Sequence, residues 1–320
     1  MHVLITGGAG FLGSHLCDRY LSDGHQVTCL DSFLTGSPVN VAHLREHAGF
    51  RMLARDVTDL DRNSVTEPID AILHFASPAS PRDYQRHPFA TIEVGSVGTW
   101  TLLEVARQHG ARFLLASTSE IYGDPLVHPQ HESDWGNTNP IGVRSVYDET
   151  KRFAEMLTSA YRREYGTDTA IIRIFNTYGP RMRANDGRLV PSLMTQALDD
   201  QPLTVFGDGS QTRSFCYCSD LVEGVTRMLD SGEAGPFNLG NPHEITVREM
   251  AETVRRLCNS EAPLEHRPLP SDDPTRRRPD ITLARTRLGW EPQVSLEDGL
   301  TETLAWFRQN ATTAAGRERA

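Results

Sequence analysis

Long apolar runs are missing from these 320 residues. No stretch approaches the roughly 18 uninterrupted apolar residues that a membrane-crossing helix needs. Cysteine is scarce as well: five, scattered, with only Cys216 and Cys218 close together. Such a set gives neither a disulfide framework nor a zinc-ligand pattern. Alternation about Tyr217 on a predicted strand would place Cys216 and Cys218 on one face, reduced and buried. The twelve histidines show no metal-ligand spacing, so no metal is expected. Positive charge is in deficit, 32 Lys and Arg against 42 Asp and Glu, for a formal net charge of −10. That argues against nucleic acid as a partner, though not against a local basic pocket for a diphosphate. A secretory leader has no room either, because Met1 runs straight into Val3-Leu4-Ile5. The expectation is a cytoplasmic protein with no membrane partner.

What is present is an ordinary globular composition, 38% hydrophobic and 23% charged, enough for one large domain or two modest ones. Over the first 175 residues or so, apolar runs alternate with helical periodicity, the pattern of a parallel sheet covered by helices. Strands are predicted at His2–Thr6, Gln26–Asp31, Arg51–Ala54, Ala71–Phe75, Arg112–Ser117 and Thr169–Ile174. Helices are predicted at Phe11–Ser22, Ala90–His109 and Val146–Tyr165. Past Asn176 the rhythm breaks into Pro/Gly-rich loops, with a short strand at Leu203–Phe206 and helices at Thr246–Cys258 and Leu296–Arg308. The chain thus reads as a doubly wound α/β (Rossmann-type) nucleotide-binding unit over residues 1–175. A smaller substrate-binding region follows over 176–310, then a frayed tail over 311–320.

Gly7, Gly10 and Gly13 lie in a turn between the first strand and the first helix, in Thr6-Gly7-Gly8-Ala9-Gly10-Phe11-Leu12-Gly13. Glycines there let the backbone approach a pyrophosphate, and the helix N-terminus offers free N–H groups to it. The second strand ends in Asp31, where a carboxylate accepts hydrogen bonds from ribose hydroxyls and repels the extra phosphate of NADP. NAD is therefore the expected cofactor. Asp56 and Val57 end the next strand, and could either meet the adenine or simply close that strand.

Tyr147 and Lys151 form a Tyr-x-x-x-Lys pair one helical turn apart, so both project from one face. An adjacent ammonium, with a positive nicotinamide ring, would favour the phenolate and make the tyrosine a usable base. Ser117, Thr118 and Ser119 lie at the carboxyl end of a strand, where open parallel sheets hold their ligands.

These residues carry a resemblance. The glycine motif, Tyr147-x-x-x-Lys151, and Arg173-x-Phe175-Asn176 with Tyr178-Gly179-Pro180 resemble the extended short-chain dehydrogenase/reductase family, over nearly the whole chain to about Arg308. Further stretches are similar to the branch that decarboxylates UDP-glucuronate: Phe75 to Pro81, Thr118 to Pro125, Asn139 to Gly142, Asn185 to Arg188, and Asp272-Asp273-Pro274 with Arg277. The resemblance implies C4 oxidation of UDP-glucuronate with Tyr147 as base, loss of CO2, and re-reduction to UDP-xylose. It implies site roles for Thr118, Ser119, Glu120 and Arg277, the last as counter-charge to the sugar carboxylate. Only one of Arg276, Arg277 and Arg278 need face the pocket. Glu120 either manages that carboxylate or a proton, or only pairs with an arginine to fix a loop. Cofactor contacts are implied at Phe11, Leu12, Phe75, Ala76, Ser77 and Ser117. UDP-sugar contacts are implied at Pro81, Tyr84, Asn176, Arg188, Phe206 and Arg213, the last in the turn Gly207 to Arg213.

One departure is visible. Where decarboxylases of this kind tend to read Lys-Thr-Asn, this chain has Glu93-Val94-Gly95; either Glu93 points away from the sugar, or the carboxylate is handled differently. A UDP-glucuronate 4-epimerase giving UDP-galacturonate is the alternative, since about 1.4 kcal/mol in either barrier shifts the partition tenfold. A homodimer through a four-helix bundle is also expected, using Leu102, Leu103 and Ala106 of one helix and Phe153, Met156, Leu157 and Tyr161 of the catalytic one. Those apolar faces could equally cover the sheet.

Overall fold

The computed structural model describes residues 1–269 and 276–317. Strands β1 (His2–Thr6), β2 (Gln26–Asp31), β3 (Phe50–Ala54), β4 (Ala71–His74), β5 (Arg112–Thr118) and β6 (Thr169–Ile174) fall where the apolar runs predict them. Between them come α1 (Phe11–Ser22), α2 (Pro81–Arg86), α3 (Pro88–Glu93), α4 (Thr99–His109) and α5 (Ser145–Tyr165). The single helix predicted over Ala90–His109 is instead α3, a wide π-turn at Val94–Gly98, and α4. Gly95 lies in that turn against α5, where an added Cβ would come within 2.1 Å of the Thr150 methyl. Close approach of two helices explains the glycine.

Past Ile174 the chain forms β7 (Thr177–Tyr178), α6 (Leu189–Leu198), β8 (Leu203–Phe206), β9 (Thr212–Ser214), β10 (Cys216–Tyr217) and α7 (Cys218–Asp230). It continues through β11 (Phe237–Leu239), β12 (Glu244–Thr246), α8 (Val247–Cys258), β13 (Leu264–Arg267), β14 (Arg276–Arg277), α9 (Thr282–Leu288) and α10 (Leu296–Arg317). The main sheet is parallel throughout, in the order β11-β6-β5-β4-β1-β2-β3. Apart from the edge strand β3, its strands are buried on both faces, as their near-continuous apolar sequences require. One face packs on α1, α7 and α9 through Leu16, Tyr20, Val225, Met228, Ala284 and Leu288, with Trp290 just beyond α9. The other packs on α4 and α5 through Leu102, Leu103, Val105, Ala154 and Tyr161.

Strand β11 had no sequence signal, being only Phe237-Asn238-Leu239. It pairs with Ile172–Ile174 and satisfies the outer edge of β6. Residues beyond 176 therefore return to the sheet, and a separate core holds the remainder, with Leu193, Met194, Met250, Leu300 and Phe307 at its centre. Two details differ from the sequence expectation. Cys218 opens α7 instead of continuing a strand with Cys216, although both are buried and unpaired. Helix α10 runs to Arg317, into the segment read as a frayed tail; Ala311, Ala314 and Ala315 there favour helix. Among the described residues, no helix is long and apolar enough to cross a membrane.

Candidate active site

Two adjoining clefts open at the carboxyl ends of the strands. The first lies over β1, where the strand order reverses, and is lined by Gly7, Gly10, Phe11, Leu12, Gly13, Asp31, Asp56, Val57, Phe75, Ala76 and Ser77. Every residue expected to touch NAD, apart from Ser117, Tyr147 and Lys151, is in that set. The glycines are required by space. Gly7 has φ of +69°, and a Cβ there would lie 2.7 Å from the Ala76 nitrogen. A Cβ on Gly13 would lie 2.1 Å from the Gly7 carbonyl oxygen. Gly10 caps α1 without a side-chain hydrogen bond, which leaves the first-turn N–H groups to a phosphate.

Asp31 anchors the far end of this cleft. Its carboxylate accepts from the Ala9 and Phe33 amides at 2.9 and 2.8 Å. Burial raises its pKa, and those backbone donors oppose the rise. Asp56 spends one oxygen on the Thr58 amide and hydroxyl, at 2.9 and 2.8 Å, so it caps a turn as well as lining the cleft. Behind the cleft the Thr6 hydroxyl and His74 Nδ1 share a hydrogen bond of 2.8 Å, and His74 Nε2 meets Thr99 at 3.1 Å. Burial pushes His74 down to about 3, so this link between β1, β4 and α4 is uncharged. A glycine cradle that a Cβ would fill, an open helix N-terminus and a carboxylate at the end of β2 fit NAD.

The second cleft, of about 600 Å³, is lined by Ser117, Thr118, Ser119, Glu120, Tyr147, Lys151, Pro81, Asn176, Arg188, Phe206, Arg213 and Arg277. The predicted catalytic and sugar-binding residues are thus brought together, with one correction. Tyr84 does not line the cleft: it is fully buried behind Tyr147, their rings stacked at 5.2 Å and 7°. Of the three consecutive arginines, Arg277 is the buried one facing the cleft, while Arg276 is exposed. Strand pairing sets Arg277 beside Arg213. Arg188 belongs to both clefts, with its guanidinium on Asp186 at 2.6 Å and over the Phe11 ring. Asp272-Asp273-Pro274 lies outside the described residues.

The electrostatics of the pair follow from its surroundings within the protein. Lys151 Nζ donates to the Ala116 carbonyl at 2.8 Å and lies 5.7 Å from the Tyr147 ring centre. Burial lowers Lys151 to about 8, opposed by Glu155. Burial raises Tyr147 above its ordinary value, with a hydrogen bond to Thr118 pulling the other way. Among the protein groups, burial therefore outweighs the Thr118 hydrogen bond at this phenol. Glu120 is held by arginines: Arg277 Nη1 meets its Oε1 at 2.8 Å and Arg144 Nη2 meets its Oε2 at 2.6 Å. Burial opposes ionisation of Glu120, yet the two guanidiniums hold its pKa below the usual value. Glu93 is exposed and lines neither cleft, so it points away from the sugar position.

Two residues at this site escaped sequence reading. Arg144 stands just before α5 and faces the cleft. Glu155, one turn past Lys151, binds the Ser117 hydroxyl at 2.6 Å and the Arg173 guanidinium at 2.8 Å. Stepping by three or four residues in both directions from Tyr147 would have found them.

Comparison with known proteins agrees with this geometry. The chain is 52% identical over 309 residues to UDP-glucuronic acid decarboxylase 2 of Arabidopsis thaliana, covering 97% of this chain and 68% of that protein. It is 48% identical to UDP-glucuronic acid decarboxylase 1 of Danio rerio over 316 residues, covering 99% and 75%. A solved mutant of UDP-glucuronic acid 4-epimerase from Bacillus cereus, in complex with UDP-4-deoxy-4-fluoro-glucuronic acid and NAD, superposes with a TM-score of 0.88. That match has 28% identity and covers 97% of this chain and all of that one. Residues 3–240 match the sequence profile of the NAD dependent epimerase/dehydratase family. With a glycine cradle, a carboxylate at the end of β2 and a buried Tyr-Lys pair at the carboxyl ends of its sheet, the chain belongs to that NAD-dependent family of nucleotide-sugar enzymes.

Proposed function

We propose that the protein converts UDP-glucuronate to UDP-xylose and CO2, with no net oxidation or reduction. The observation that carries this reading is the placement of Arg277 and Arg144 around Glu120, beside the Tyr147 phenol. Two guanidiniums to one carboxylate leave an excess positive charge in a nearly buried cleft, which suits an anionic sugar. Bound NAD would supply the two-electron acceptor that takes hydride from C4 of the sugar and later gives it back. Tyr147 takes the C4 hydroxyl proton, while Thr118 orients the phenol. The sugar carboxylate is then β to a carbonyl, and CO2 leaves with its electrons passing into that carbonyl. C5 then takes a proton from solvent, and Tyr147 returns its own proton to the C4 oxygen.

Arg213, Arg188 and Asn176 suit the diphosphate, Phe206 the uracil, and Pro81 the sugar-side wall; Arg277 and Ser119 serve the sugar. The relatives near 50% identity carry the decarboxylase name, which favours this outcome over 4-epimerisation. Purified protein given UDP-glucuronate should release UDP-xylose and CO2; UDP-galacturonate as the sole product would refute the assignment.

A homodimer belongs to the same reading, with a changed interface. Leu102, Leu103, Ala106 and Tyr161 are buried on the sheet, so they are not free to meet a partner. Phe153 and Met156 of α5, expected at the interface, are exposed, as are Ile92 of α3 and Trp100 of α4, with Trp100 at 55% and Met156 at 51%. Pairing these helices with their copies would bury that apolar face. The five unpaired cysteines suit the reducing cytoplasm, where we place the reaction.

A further inference from the structure

We infer that Arg144 is a positioning and specificity residue, which neutralises Glu120 so that Arg277 can be exchanged from Glu120 to the substrate's carboxylate. The inference rests on the acid-sugar reading above. Arg277 is fully committed inside the protein: Nη1 reaches Glu120 Oε1 at 2.8 Å and Asn176 Oδ1 at 3.2 Å, and Nη2 reaches Glu120 Oε2 at 2.9 Å. To bind a sugar carboxylate with both arms, it must give up Glu120. The side chains involved are 9% exposed for Arg277, 14% for Glu120 and 11% for Arg144. Releasing Arg277 would strand a nearly buried carboxylate if nothing else held it, which is strongly unfavourable. Arg144 already holds it, through the 2.6 Å bond to Oε2.

The two arginines are not equivalent in how they are held. Arg144 sits at the root of α5, where its carbonyl accepts from the Tyr147 and Asp148 amides at 3.0 and 3.1 Å. Its guanidinium also lies within electrostatic reach of the Asp148 carboxyl, on α5. Arg277 comes from the two-residue strand β14, paired to β9 and followed by Arg278, whose amide and carbonyl bond Gln130 at 2.7 and 2.9 Å. Exchange asks only the Arg277 side chain to turn from Glu120, while Arg144 keeps its bond to that carboxylate from the root of α5. After exchange, Glu120–Arg144 and carboxylate–Arg277 form two neutral pairs, where before there was one anion with two cations. A ligand lacking the carboxylate offers nothing to exchange for, so the arrangement discriminates between acidic and neutral sugars.

The test compares UDP-glucuronate with UDP-xylose, the same nucleotide without the carboxylate, on the NAD-loaded enzyme. Arg144→Met should raise the KM for UDP-glucuronate about 30-fold, while the inhibition constant of UDP-xylose changes less than about threefold. Arg144→Lys keeps the charge and should recover most of the loss. In a Glu120→Gln background there is no charge to neutralise, so Arg144→Met should change the ratio of the two constants less than about threefold. Equal weakening of both ligands, or an undiminished effect in the Glu120→Gln background, overturns the inference. Arg144→Gln serves the same comparison if Arg144→Met does not fold, and must show the same ligand-dependent split. A native enzyme that does not consume UDP-glucuronate at all would sink the functional reading instead.

Discussion

The phenol of Tyr147 sits between opposing influences. Burial and the nearby carboxylates raise its pKa, while the Thr118 hydroxyl and Arg188 lower it. Lys151, tied to the Ala116 carbonyl, adds an ammonium just above the ring. If the phenol is the base, Tyr147→Phe should lower kcat by about 1,000-fold with little change in UDP-sugar affinity, measured by UDP-xylose formation and by ligand titration. The next residue makes a separate prediction. Asp148 is buried beside Glu120, and burial first, then that charge, raise its pKa from 3.8 to about 7. A carboxyl whose folded pKa is raised contributes stability below its unfolded pKa and loses it as pH climbs through the folded value. Asp148→Asn removes that loss. Its melting temperature relative to the native protein should therefore rise between pH 5 and pH 8, by on the order of 5 °C, seen by scanning calorimetry. A difference independent of pH would refute the assignment of this carboxyl.

At the scale of elements, spacing decides more than chemistry. The π-turn at Val94–Gly98 brings its backbone close to α5, and Gly95 is the residue that permits it. An asparagine there would drive a Cβ into Thr150. Gly95→Asn should cost about 2 kcal/mol by overpacking, measured by denaturant unfolding, and Thr150→Ser should restore part of it. The predicted helix over Ala90–His109 missed this turn because periodicity registers helical faces and not the one extra residue that widens a turn. Likewise β11 was invisible, since three residues carry no period; what called it into the sheet was the unpaired edge of β6. By contrast β1, β2, β6, α1 and β8 have the predicted boundaries, because each is a bounded run whose side chains alone state its face.

For the whole molecule, the unclaimed surface is the helical face made by α3, α4 and α5. Ile92, Trp100, Phe153 and Met156 are open there; Phe153 and Met156 were expected at the interface, whereas Leu102, Leu103, Ala106 and Tyr161 are spent on the core. The protein should sediment as a dimer. Trp100→Glu with Met156→Glu should yield monomers, with melting lowered by only a few degrees. A native monomer by equilibrium sedimentation would exclude this interface.

The sequence by itself determined the chemistry that depends on local order. Glycines between a strand and a helix, an acid at the end of the second strand, and a tyrosine one turn from a lysine are short-range facts, and backbone geometry turns each directly into a site. Tertiary structure alone decided how charges are shared. Glu120, Arg144 and Arg277 are far apart in the chain, and Tyr84 and Tyr147 stack across elements; which arginine holds which carboxylate follows from packing and desolvation, which no local pattern encodes.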